Sequence, residues 1–100
     1  MSNTEKNIRI AKLLNISIWD ISTSKITVIN PTNDGIIIFH PCEDYNQLMP
    51  LCFAHDISHE RCEDTWSAWC EYHGVSTTNT NPQTALVDCL IEVLEAREKG

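Results

Sequence analysis

Apolar residues are spaced along this chain in ways that change from segment to segment. From Thr4 to Leu14 they fall at helical intervals. Ile8, Ala11 and Leu14, or Ile10, Leu13 and Leu14, make one stripe, with Thr4 as N-cap and Asn15 as the stop. Three runs rich in Ile, Val and Thr follow, "ISIWDI", "KITVIN" and "GIIIFH", and these predict strands. Pro31, Asn33, Asp34 and Gly35 between the last two are turn formers, so Lys25–Asn30 and Gly35–His40 read as a hairpin. Ile16–Ile21 is either an edge strand or an irregular lead-in to it.

Helical spacing returns after Pro41. A second helix is predicted from Glu43 or Asp44 to His55, with Leu48, Leu51, Cys52 and His55 on one face and Tyr45 at its start. Pro50 inside this pattern predicts a kink or a break. In "TWSAWCEY" the period is two: Trp66, Ala68, Cys70 and Tyr72 alternate with Ser67, Trp69 and Glu71, which predicts a strand with an aromatic on each face. Gly74–Asn81 reads as a polar loop. The last helix has Thr80 as cap, Pro82 in its first turn and Gln83 closing a capping box, with Asn81 as the competing cap. Its apolar stripe is Ala85, Leu86, Cys89, Leu90, Val93 and Leu94. The predicted fold class is α+β, a small, mainly antiparallel sheet of three to four strands packed with three helices.

Composition narrows this picture. The chain has 100 residues, which predicts a single domain, and 42% of them are hydrophobic, enough for a core without metal or disulfide support. Five cysteines cannot pair completely within one chain and read as free thiols of a reducing compartment. No apolar run approaches the roughly 20 residues of a membrane span. The polar start "MSNTEKNIRI" carries no hydrophobic signal region, so the expected location is a cytoplasm. The net charge is −7, with Glu43, Asp44, Asp56, Glu60, Glu63, Asp64 and Glu71 set against Arg61 in the middle of the chain. That balance argues against direct nucleic-acid binding, which calls for a basic stripe.

Two stretches resemble a known family. "PCEDYNQLMPL" (Pro41 to Leu51) and the ending "NPQTALVDCLIEVLEA" are similar in wording to the phage alpha-beta-alpha sandwich domain, found in small tailed-phage and prophage proteins. The resemblance covers about half the chain: the second and third helices and the strand between them. It implies an α/β sandwich and a phage accessory protein. It carries over no catalytic residue. By analogy with phage genes of this size, interference with host defence is the expected process.

The stretch "CFAHDISHERC" presents the densest chemistry. Cys52, His55, His59 and Cys62 have the spacing C-x2-H-x3-H-x2-C, and zinc takes four such ligands in a tetrahedron. Along one continuous helix these residues would be strung over about 15 Å and could not share an ion. A helix ending near His55 would let His59 and Cys62 fold back, and Cys70 with His73 is an alternative second pair. A catalytic cysteine is disfavoured: Cys52 and Cys89 lie on apolar faces, and the acids around Cys62 oppose thiolate formation. No phosphate-cradling loop is present.

The leading expectation is therefore a non-enzymatic accessory protein without a cofactor. It would bind a host protein, with Glu60, Glu63 and Asp64 steering and Trp69 providing contact area. A protein that sequesters a nucleotide signal is the alternative. It would use Arg9, Lys12, Lys25, Arg61 and Arg97, which are scattered in sequence but could be gathered by a homo-oligomer. A zinc-supported interaction module is the third reading.

Overall fold

The computed structural model describes residues 2–21, 26–29 and 35–99. Helix α1 (Asn3–Leu13) begins one turn-forming residue earlier than the pattern suggests. Ser2 Oγ, not Thr4, accepts the Glu5 N–H at 3.1 Å, and Ser2-x-x-Glu5 is the spacing of a capping box. The helix buries Asn7, Ile10 and Ala11. Asn7 is the one polar residue among the described residues that is buried. Its Oδ1 accepts the Cys42 N–H at 3.0 Å and its Nδ2 donates to Glu43 at 3.4 Å, so α1 is tied to the turn after Pro41.

Helices α1 and α2 (Tyr45–Ala54) end in the same way. Asn15 and Asp56 take left-handed φ values of 59° and 56°. The next residue in each case bonds back into the last turn, Ile16 N–H to Ala11 C=O at 2.9 Å and Ile57 N–H to Cys52 C=O at 3.0 Å. This is the Schellman closure, and the isoleucine that completes it packs into or against the core. Asp44 caps α2 through the Asn46 N–H at 2.8 Å. The helix runs on through Pro50 without a break. Pro50 and Asn46 are both exposed, so the carbonyl that proline cannot bond is available to water.

Among the described residues six strands form two separate three-stranded antiparallel sheets. The first orders β1 (Ile18–Ile21), β2 (Ile26–Ile29) and β3 (Ile36–Ile38) side by side. Ile18 and Ile37 oppose Val28 on its inner face, and a bulge at Trp19 separates the pairs Ile18–Val28 and Asp20–Thr27. The β2–β3 hairpin is the one the turn residues predict; its turn, 30–34, lies outside the described residues. Beyond β3, the Gln47 side chain takes both free backbone groups within its reach: Nε2 donates to Ile38 C=O at 2.7 Å and Oε1 accepts the His40 N–H at 2.8 Å.

The second sheet orders β4 (Ser58–Cys62), β5 (Thr65–Cys70) and β6 (Val75–Asn79). Strand β6 corrects the loop expected at Gly74–Asn81. Its run Val-Ser-Thr-Thr-Asn is polar because α3 covers only one face of the sheet. Tyr72 is corrected too: it lies in the β5–β6 connection and is 87% exposed, not on a core face.

Helix α3 (Pro82–Lys99) is capped by Asn81, not Thr80. Asn81 Oδ1 accepts the N–H groups of Gln83 and Thr84 at 2.9 and 3.1 Å. The Gln83 side chain donates to Pro41 C=O at 3.2 Å instead of closing a capping box. Val87 and Ile91 are buried along with the predicted stripe, because α3 packs against α1, α2, β5 and β6. One buried cluster draws residues from all three helices and both sheets, so the α+β class holds, with its strands shared between two sheets. Among the described residues no helix is long and apolar enough to cross a membrane.

Candidate partner-binding surface

The second sheet has one covered and one open face. Ala68 and Cys70 on β5 are buried beneath α3, and Trp66 on the same side packs against the core. The register Ser58–Trp69, Glu60–Ser67 and Cys62–Thr65 places these six residues on the opposite side. There Trp69 also opposes Ser76, and Ser67 opposes Thr78. The open face is thus a field of hydroxyls with Trp69 half-buried in it and Glu60 and Cys62 at its margin. Ser67 Oγ lies 3.9 Å from Cys62 Sγ, which in turn lies 3.7 Å from Glu60.

Asp56, Ser58, Trp69, Glu71 and Tyr72 line a shallow hollow at one end of this face. Asp56 reaches it because the Schellman closure of α2 puts it two residues before the start of β4. Tyr72 reaches it through the connection of residues 71–74, where Gly74 holds φ at +65° with no neighbour within 4 Å of a built Cβ. The indole therefore shares one hollow with two carboxylates and a phenol. Glu63 and Asp64 form the two-residue β4–β5 turn, with Glu63 at φ 55°, at the far end of the hairpin from the hollow. Of the four predicted partner residues, Glu60 and Trp69 share the open face, while Glu63 and Asp64 extend the negative charge along its length. Asp56, Glu71 and Tyr72 join the surface without having been singled out as site residues; the register of the hairpin, once known, is what reveals them.

The four candidate zinc ligands occupy separate settings. Cys52 is fully buried in the core, and burial pushes its thiol up to about 12. His55 caps α2 and its Nδ1 accepts from Arg97 Nη1 at 2.7 Å. His59 lies on the α3 side of β4, its ring 6.0 Å from that of Trp66, and Cys62 lies on the open side. The alternative pair is divided likewise: Cys70 is buried, with its thiol donating to His55 C=O at 3.5 Å, while His73 stacks edge-on against Tyr72 at 4.9 Å. Among the described residues no group of three or more His, Cys, Asp or Glu is placed to hold a metal ion.

Burial likewise pushes Cys42 and Cys89 up to about 12, so both are protonated packing groups at neutral pH. The cations are dispersed. Arg9 pairs with Glu95 at 2.9 Å and Lys6 with Asp88 at 2.8 Å. Arg61 donates to Glu63 C=O at 3.3 Å, and Lys12 and Arg97 border one hollow together with Glu98. Lys25 lies outside the described residues. In comparisons with known proteins, no family model matches this chain, and no curated protein matches it either.

Proposed function

We propose that this chain is a non-enzymatic accessory protein of the phage kind that acts by binding a basic host protein through the open face of β4–β5–β6. The observation that carries the reading is Trp69, an indole held half-buried on an otherwise polar sheet face and bordered by Asp56 and Glu71. An aromatic of this type supplies contact area at the centre of an interface, and the carboxylates around it raise the rate of encounter with a positive partner. The phage association is supported by the wording of "PCEDYNQLMPL" and of the final helix, and interference with host defence is the process that association suggests.

The test is capture of partners from bacterial lysate on the immobilised chain at low and high salt. A specific protein should be retained at low salt, released at high salt, and lost with Trp69→Ala or with Glu60→Lys plus Glu71→Lys. Identical capture by wild type and all variants, independent of salt, would remove this surface from consideration.

A further inference from the structure

The β4–β5 register decides which backbone groups of β4 are already used. The two-residue turn makes Cys62 and Thr65 a mutually hydrogen-bonded pair, and the alternation of antiparallel ladders extends this to Glu60–Ser67 and Ser58–Trp69. The N–H and C=O groups of His59 and Arg61 therefore point away from β5. Strand β4 is the edge of its sheet, and all five of its residues are exposed. It carries neither proline nor bulge, two of the devices that close such an edge, and its charged side chains, Glu60 and Arg61, stand on opposite faces. The other edges differ. Strand β1 is bulged at Trp19, β3 is closed at Ile38 and His40 by Gln47, and the hollow beside β6 is bordered by the paired Lys6 and Asp88.

The charge around this edge has one sign. From Asp56 to Glu71 there are five carboxylates and the single cation Arg61. Side chains of β4 alternate: Ser58, Glu60 and Cys62 face the Trp69 side, and His59 and Arg61 face the Trp66 side. A strand added beyond β4 would alternate in the same way. Its outward side chains would stand beside Glu60, between Asp56 at one end and the Glu63–Asp64 turn at the other.

We propose that the free edge of β4 takes an extended cationic segment of a partner protein as a fourth strand, with Lys or Arg on the face it shares with Glu60. Backbone pairing to His59 and Arg61 supplies the contact, and side-chain charge selects the segment. The proposal rests on the binding reading above for the sign of the partner's charge, and adds to it the mode of attachment.

The probe is a fluorescein-labelled heptapeptide of alternating Lys and Val, compared with the Glu–Val peptide and with a Lys–Val peptide methylated at every amide nitrogen. Anisotropy reports binding, and amide hydrogen exchange reports the edge. The Lys–Val peptide should bind at least tenfold more tightly than either control and slow exchange at His59 and Arg61 at least tenfold. The variant Arg61→Pro, which removes an outward N–H and no bond to β5, should bind at least tenfold more weakly while keeping its circular dichroism spectrum.

Equal binding of the methylated peptide, or unchanged exchange at both amides, overturns strand addition and leaves the lysate test of the Trp69 face standing. Failure of every peptide to bind overturns it as well. Protection of the His59 and Arg61 amides in a free dimer would give the edge to a second copy, and overturns it too.

Discussion

His55 sits where α2 hands over to β4, and its surroundings favour the neutral ring. Burial lowers its pKa below the ordinary 6.5, and the nearby Arg97 and His73 add to the effect. The neutral Nδ1 accepts from the Arg97 guanidinium, a bond that a protonated ring could not make. A lowered folded-state pKa gives stability that is present above pH 6.5 and lost as pH falls through the folded value. An NMR titration should place the His55 midpoint below 6.5, and Arg97→Ala should move it part of the way back, because burial is the larger cause. This pairing was not legible in the sequence. The pattern placed His55 on an inner helix face beside Cys52, which is right for Cys52, but nothing local relates His55 to a residue 42 positions away.

At the scale of elements, legibility followed the strength of local chemistry. The β2–β3 hairpin and α3 could be read because turn residues and a long apolar stripe leave few alternatives. Strand β6 was missed because Ser76, Thr77 and Thr78 carry no apolar alternation; they are strand residues only by pairing with β5. "CFAHDISHERC" suggested metal ligands because four donor side chains are close in sequence, yet the pleat sends His59 and Cys62 to opposite faces. Of the candidate surface, Trp69 was visible from the alternation in "TWSAWCEY", and Glu60 from its charge alone. The left-handed helix ends are another device of this scale. Asn15 tolerates φ 59° better than other side chains with a Cβ, and a β-branched residue there would meet its own carbonyl. Urea unfolding should show Asn15→Val less stable by about 1 kcal/mol and Asn15→Gly equal to or slightly above wild type.

At the scale of the whole molecule, α3 is the element on which the rest is assembled. Leu90 is fully buried on it, and α3 packs against two helices and two strands. Leu90→Ala should lower the unfolding free energy by about 2–5 kcal/mol, measured by urea denaturation, because neighbours on several sides cannot collapse together into the space. The Gln47 carboxamide has a consequence of a different kind. It offers β3 the donor and acceptor of a peptide group without a strand attached. A sheet protein open on every side has the valence of a monomer unit and can grow into fibres. Here an amide side chain acts as a chain terminator at the Ile38–His40 end of β3.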